Sequence, residues 1–269
     1  MHAREAASLH IGYSSLTERQ AMAKTPLTKE RSVIPRSRTA LLQKAVKTLA
    51  IDIGATRIKA STLNELGEIV TKRVFTDTPR SGMPGAVMDI IAKLAEEQPE
   101  FDRISVGFPG IVQNGVVQMA PNLAPEWKHF NIGKILAARL RKPVRVANDA
   151  DVQGFGAISG VGVELVLTLG TGVGSALFLN GHLIPNVEVG KDKLNNAELK
   201  RVGKKRWNKR LLKLIRKLEA MFYYDRLYIG GGNSKAVSIP DIPPNVTIVS
   251  NLNGLVGGVA LWRELERPD

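Results

Sequence analysis

The 269-residue chain contains no cysteine, which excludes a disulfide scaffold, a thiolate-held zinc or iron–sulfur site, and thiol catalysis. It also lacks any apolar run of about 18 residues, so no segment reads as a membrane-spanning helix. Its first residues carry charges at Arg4 and Glu5 and no apolar stretch of the kind a secretory signal needs, and a cytoplasmic protein is the expectation. Aromatic residues are few, at 5%. What is present is ordinary for a globular protein: 43% hydrophobic and 23% charged residues, with 25 Gly and 14 Pro. That composition supports one large domain or two small ones.

The net charge is +13, but it is unevenly placed. Residues 1–48 hold nine Lys or Arg against three acids, and residues 189–217 hold twelve against two. The rest of the chain is slightly negative, so the body as a whole is not a polyanion-binding surface. Residues 1–47 mix Ser, Thr, Pro and Arg without apolar periodicity and read as a disordered basic leader. Met22 opens a second candidate start within it, and its Arg-rich, acid-poor character is also that of an organelle transit peptide.

Periodic structure begins at Thr48. Leu49 to Ile53 reads as a strand, Gly54-Ala55-Thr56 as a tight turn, residues 58–63 as a returning strand and 68–75 as a third. A helix is predicted from Pro84 to about Gln98, a strand over 103–107, and an Asn114-Gly115 hairpin between Ile111 and Gln118. Then follow a helix over 131–140, a strand over 143–147 and a helix from about Ala150. The pattern then repeats: aligning Gly54 with Gly170 sets Ile51-Asp52-Ile53-Gly54-Ala55-Thr56-Arg57-Ile58 against Leu167-Thr168-Leu169-Gly170-Thr171-Gly172-Val173-Gly174. The chain therefore divides into two related halves, expected at residues 48–160 and 161–269, each opening with strand, Gly/Thr turn and strand. Two such turns facing each other would line a cleft between two lobes. The second half continues with a basic helix over 196–223, a strand over 226–229, the turn Gly230-Gly231-Gly232-Asn233-Ser234, a strand over 246–249 and a helix over 254–266.

A Gly/Thr turn between strands offers successive backbone N–H groups with no side chain in the way, which suits phosphate oxygens. Two of them suit a chain of phosphates. Asp52 precedes the first turn, where a carboxylate would hold Mg²⁺ against those oxygens, and Thr56, Arg57 and Lys59 add a hydroxyl and cations. Taken singly, the same glycines are hairpin glycines and Asp52 a turn cap; the paired recurrence favours the phosphate reading. Asn148-Asp149-Ala150 stands between an apolar strand and a helix, where Asp149 is either an N-cap or a catalytic base, with capping favoured by spacing alone. Glu188 follows a Pro-bearing loop and, on its own, reads as a solvated carboxylate.

At these residues the chain resembles the ROK family of sugar kinases. Asp52 to Lys59, Asn148-Asp149-Ala150, Leu169 to Ala176, Glu188-Val189-Gly190-Lys191 and Ile229-Gly230-Gly231-Gly232 occur in the family's order. Val106-Gly107-Phe108-Pro109-Gly110, the stretch from Asn122 to Trp127, and Pro185-Asn186-Val187-Glu188 look like the short polyphosphate glucokinases within it, and the likeness spans about residues 48–266. The resemblance implies an α/β, actin-like duplicated ATPase fold of the hexokinase and ribonuclease H type, with two lobes around a cleft. It implies phosphoryl transfer from ATP or polyphosphate to the 6-hydroxyl of glucose, with Mg²⁺ as cofactor, in a homodimer. Asp149 would then be the base, and Asn122, Asn148, Asp149 and Glu188 would hold the sugar. Gly54, Thr56, Lys59, Gly170, Thr171 and Gly172 would surround the donor phosphates, Asp52 would help place the metal, and Gly231 and Gly232 would approach an adenosine.

Most relatives carry a Cys-rich zinc motif after Glu-x-Gly-His. Here Lys191 stands where the His would be and no Cys exists, so no zinc is expected, as in the short polyphosphate enzymes. Lys191 cannot accept a hydrogen bond as a neutral His does. The same family includes sugar-responsive repressors and catalytically silent members, which form the rival reading. Residues 1–48 are too short for a winged helix-turn-helix domain, and the retained Asp149 favours catalysis.

The basic segment carries Lys200, Arg201, Lys204, Lys205, Arg206, Lys209, Arg210, Lys213, Arg216 and Lys217 on a helix whose Leu211, Leu212, Leu214, Ile215 and Leu218 would pack inward. A solvated helix face is one reading and a polyphosphate track, held by counterion release, the other. Nucleic acid ranks third, because aromatic residues for base stacking are sparse beside the cations apart from Trp207. His129 and His182 stand alone, with no partner spacing for a metal.

Overall fold

A computed structural model describes residues 45–189, 193–249 and 253–264. The leader expected over 1–47 falls outside them up to residue 44, as does Met22; residues 45–47 run into the first strand, with the Lys47 N–H donating to Asp102 Oδ2 at 2.8 Å. Lys191 also lies outside the described residues.

Two five-stranded sheets repeat one design. In the first, β1 (Thr48–Ile53), β2 (Arg57–Leu63), β3 (Val74–Asp77), β4 (Arg103–Phe108) and β7 (Val144–Asn148) lie in the order β3-β2-β1-β4-β7. In the second, β8 (Val163–Leu169), β9 (Val173–Leu179), β10 (His182–Ile184), β11 (Arg226–Gly230) and β12 (Val246–Ile248) lie in the order β10-β9-β8-β11-β12. In both, the first three strands in sequence are an antiparallel meander and the last two join in parallel. The hairpin β5 (Ile111–Gln113) and β6 (Val116–Met119) stands apart, its turn closed by Asn114 and Gly115 at φ 50° and 76°.

The helices follow from apolar spacing and caps. α1 (Pro84–Glu96) opens with proline at its first turn and buries Val87, Ile91 and Ala95 along one face. α2 (Ile132–Leu140) is capped by Asn131, which accepts from the Lys134 N–H at 2.9 Å. Both pack on the first sheet around Phe108 and the fully buried Trp127. α4 (Asn196–Phe222) buries Trp207, Leu211, Leu214, Ile215 and Leu218 against the second sheet, as its apolar spacing predicts; Leu212 is half-buried. Strand β8 is apolar almost throughout because both of its faces are covered. Among the described residues no helix is long and apolar enough to cross a membrane.

α3 (Asp149–Phe155) and α5 (Asn253–Glu264) pack against each other between the sheets. The crossing is close: a Cβ on Gly257 would collide with the Val152 carbonyl, so only glycine fits there. Although α5 comes last in the chain, it covers the first sheet. Leu255 and Val259 pack on Ala50 and Leu63, the Trp262 Nε1 donates to Ser105 Oγ at 2.9 Å, and Arg145 donates to the Leu261 carbonyl at 2.8 Å. The Trp262 ring lies against both Arg103 and Arg145.

Three local expectations change. The third strand is not 68–75 but 74–77, with only an isolated bridge at Ile69. Ahead of it the Thr71 hydroxyl and the Gln98 side chain take the Thr62 N–H that a paired strand would take. The basic helix is broken at Gly203, at φ 74° and ψ 159°, leaving Lys200 and Arg201 before the kink and the remaining cations after it. The repeat also slips: four residues separate the last pair Ile53–Ile58 of the first turn, but only three separate Leu169–Val173 in the second. Past the turn, Val173 therefore answers to Ile58, and Gly174 to Lys59.

Candidate active site

A cleft of about 760 Å³ opens between the sheets where the two Gly/Thr turns face each other. The register of β1 and β2 sets Asp52 opposite Lys59, and the two form an ion pair at 2.9 Å. Gly54 closes the turn by donating to the Arg57 carbonyl at 3.0 Å, and a Cβ there would meet that oxygen at 2.8 Å. Thr78 braces the loop from outside, its hydroxyl donating to the Gly54 carbonyl at 2.6 Å. Thr56 is exposed at the mouth.

In the second turn the Gly170 N–H donates to the Gly172 carbonyl at 2.9 Å. The Gly170 carbonyl is taken by the Asn196 N–H at 2.8 Å and by Asn233 Nδ2 at 3.2 Å. Added Cβ atoms at Gly170 and Gly232 would meet nothing within 4 Å, so the space above both is open. Thr171 and Gly172 are exposed to the cleft. Gly231 differs: it sits at φ 89°, and a side chain there would strike the Leu169 backbone.

Asn148 and Asp149 divide the roles that the sequence leaves open at the start of α3. Asn148 is the N-cap: its Oδ1 accepts from the Ala150 and Asp151 N–H groups at 2.7 and 3.3 Å, while its Nδ2 donates to the Gly110 carbonyl at 3.0 Å. Capping, which spacing alone assigns to Asp149, is thus done by its neighbour, and Asp149 keeps its carboxylate on the cleft with a single backbone bond, from Ala150 N–H at 2.9 Å. Burial pushes the Asp149 carboxyl up to about 7; the negative charges of Asp52, Asp151 and Glu188 add to the rise, and the Ala150 bond opposes it. A carboxyl poised near neutrality in a cleft can take a proton and give it back.

Asn122 and Glu188 reach the same cleft from two exposed loops. The Asn122 loop is anchored by Trp127, whose Nε1 donates to the Gly82 carbonyl at 2.7 Å and whose ring packs on Phe108 and Phe130. The Glu188 loop is anchored by Ser175, which donates to the Val187 carbonyl at 2.6 Å and accepts from the Val189 N–H at 3.1 Å. The residues to which the resemblance gives a catalytic, sugar, phosphate, metal or adenosine role all border one cavity. Sequence reasoning missed Thr168, Gln153, Asn195 and Asn233, which border it too. Asn195 was within reach, because Asn-x-x-Glu ahead of an apolar run is a helix-start signal, and Asn195 accepts from the Glu198 N–H at 2.9 Å.

Asp52 is the carboxylate beside the first Gly/Thr turn of the cleft, and among the described residues no group of three or more His, Asp or Glu could hold a metal by itself. That donor set fits Mg²⁺, which keeps most of its waters and is shared with substrate phosphates, rather than an ion caged by protein. On α4, Arg201 and Arg210 both bind Glu198, with contacts of 2.8 Å that hold its carboxyl down at about 2. Lys204, Lys205, Arg206, Lys209, Lys213, Arg216 and Lys217 are exposed.

The sheet order, the duplicated turns and the carboxylates between them define an actin-like phosphotransferase fold. The ROK family profile matches residues 48–189, and the chain belongs to the ROK family. It is 30% identical over 268 residues to the polyphosphate glucokinase of Mycobacterium leprae, covering 90% of this chain and 81% of that protein. The crystal structure of the inorganic polyphosphate/ATP-glucomannokinase from Arthrobacter sp. strain KM superposes with a TM-score of 0.73 at 30% identity, covering 81% of this chain and 99% of that one. A ROK family glucokinase from Streptomyces griseus, solved with glucose and AMPPNP, shares the fold at a TM-score of 0.67 and 20% identity, over 80% of this chain and 98% of its own.

Proposed function

We propose that this protein is a sugar kinase that moves a terminal phosphoryl group from polyphosphate, ATP or both to the 6-hydroxyl of glucose. The observation that carries the reading is Asp149: its carboxylate is not consumed as a cap, its pKa lies near 7, and it stands in a cleft bordered by two phosphate-type turns. The Mycobacterium leprae relative and the Arthrobacter structure support polyphosphate as a donor.

In this reading Asp149 accepts the proton of the sugar hydroxyl as its oxygen attacks the terminal phosphorus in line. The phosphorus–oxygen bond to the donor breaks, and the shortened donor leaves with the electron pair. Asn122 and Glu188 hold the sugar, with Asn148 contributing the Nδ2 hydrogen not spent on Gly110. The turn N–H groups other than those of Gly54 and Gly170, which close the turns, hold the donor with Thr56, Thr171 and Lys59; Gly232, with open space above it, and the adjoining Gly231 approach an adenosine. Asp52 would help hold Mg²⁺, whose chemistry there would be charge neutralisation on the transferring group. Lys59, paired with Asp52, keeps that carboxylate in place beside it. One lobe is built on residues 48–160 and the other on residues from 161 onward, except that α5 returns to pack on the first; the working unit is a cytoplasmic homodimer.

A coupled assay for glucose 6-phosphate with Mg²⁺ and either ATP or long polyphosphate tests the reading, and light scattering tests the dimer. Turnover with at least one donor is expected. A chain that binds glucose by calorimetry yet forms no product with either donor would replace this reading with a silent or regulatory sugar-binding protein.

A further inference from the structure

One short stretch of the first half, residues 110–112, is bonded by two distant parts of the chain. Asn148 holds the Gly110 carbonyl, as described. Asn186 holds Val112 as a neighbouring strand would: the Val112 N–H donates to Asn186 Oδ1 at 3.3 Å, and Asn186 Nδ2 donates to the Val112 carbonyl at 3.1 Å. The Asn186 backbone N–H in turn faces Asp151 Oδ2 at 3.4 Å, two residues beyond Asp149 on α3. Asn186 has a φ of 58°, a left-handed conformation that asparagine and glycine adopt more readily than other residues. It lines not the active cleft but a second cavity of about 650 Å³ behind the Asn148–Asp151 turn.

Glu188 is two residues further on. Its loop is tied to its own sheet by Ser175 and to the first half of the molecule by Asn186. The exposed Glu188 side chain takes its place from these two anchors. Only the Asn186 anchor crosses between halves, and it ends on the same three residues that receive Asn148.

We infer that Asn186 is a positioning residue: its carboxamide pins the Glu188 loop to strand β5, and through residues 110–112 to the turn bearing Asp149, so the two carboxylates keep a fixed offset across the cleft. The pinning stands on geometry alone; its consequence for sugar affinity rests on the sugar-kinase reading.

Asn186→Gly keeps the left-handed backbone and removes the carboxamide. Its KM for glucose should rise by about tenfold while the donor KM stays within about twofold. Combined with Glu188→Gln, Asn186→Gly should add less than about twofold to the loss caused by Glu188→Gln alone, because Asn186 acts through Glu188. Hydrogen exchange supplies a readout that needs no turnover: amides in 110–113 and in 184–189 should lose protection together. If Asn186→Gly does not fold, Asn186→Asp, which keeps the acceptor and loses the donor to Val112, takes its place in all three measurements. An unchanged glucose KM, an additive double variant, or exchange that rises in one segment only would each overturn the inference. Absence of turnover in the unaltered protein would overturn the kinase reading instead, and exchange would still decide the pinning.

Discussion

In the first half of the chain the mouth of the strand pair β1–β2 carries a charge pair, Asp52 against Lys59. In the second half the equivalent cross-strand pair is Thr168 against Gly174. The same topology thus presents ions on one side of the cleft and bare backbone on the other. The difference is imposed by packing. A Cβ on Gly174 would lie 2.6 Å from Thr168 Oγ1 and 3.0 Å from Ala150 Cβ, so a lysine in that place would displace the start of α3 and with it Asp149. The scaffold repeats, and the start of α3 beside Gly174 leaves no room in the second copy for the charge pair of the first.

The largest expected effect lies between the two turns rather than on either. Asp149→Asn preserves shape and removes the proton acceptor, so kcat should fall by at least about 10²-fold with glucose binding retained; near-normal turnover would remove Asp149 from the mechanism. In the unaltered enzyme kcat/KM should climb with pH and level off above about 7, as Asp149 ionises. The stability consequence has the opposite sign. Because the folded carboxyl titrates far above its ordinary value of 3.8, the folded state holds a proton that the unfolded state has lost between those pH values, and stability falls as pH rises through that window. The melting temperature of Asp149→Asn relative to the unaltered protein should therefore increase from pH 4 to pH 7 and stay flat beyond.

Next in size is the charged turn. Asp52→Ala should cut Mg²⁺-dependent turnover by about tenfold or more while leaving donor-free glucose affinity intact. Asp52→Asn should also move the acid limb of the pH profile downward, since of the neighbouring charges that raise Asp149 that of Asp52 has the largest effect. Lost glucose affinity with donor binding retained would exchange the two sites.

The neutral turn separates space from packing. Gly174→Ala should destabilise the fold by roughly 1–3 kcal/mol, read from chemical denaturation. Gly170→Ala, with open space above it, should fold normally and raise the donor KM; equal stability losses in both would show that the second turn is merely structural.

The smallest effect concerns α4. With Arg210 committed to Glu198, the informative set is Lys204, Lys205, Lys209 and Lys213 changed together to Gln. KM for long polyphosphate should rise several-fold with a flatter salt dependence, and KM for ATP should hardly move. No change with either donor would make this an ordinary solvated face.

Much of this was legible because it is local and periodic. The inward stripe of α4, the Asn114-Gly115 hairpin and the duplicated Gly/Thr turns depend on neighbours a few residues apart, and the structure places them where the spacing does. The third strand was not, because Thr71 and Gln98 compete for the Thr62 N–H through side chains that sequence spacing does not reveal. Nor was the cap, since Asn148 and Asp149 are both good N-caps and only the Gly110 carbonyl, 38 residues away, decides which one turns inward. Asn186 gave a weaker signal still: one asparagine after a proline, whose partner is 74 residues distant.

Helix α5 also bears on the order in which the protein can be made. Every strand of the first sheet lies before residue 149, yet Ala50, Leu63, Ser105 and Arg145 are covered or bonded by residues 255–262. A chain growing from the ribosome would expose that face throughout synthesis of the second half and cover it only as the last helix emerges. The half that is translated first is thus covered by a helix made after the second, and its exposed face waits for that helix.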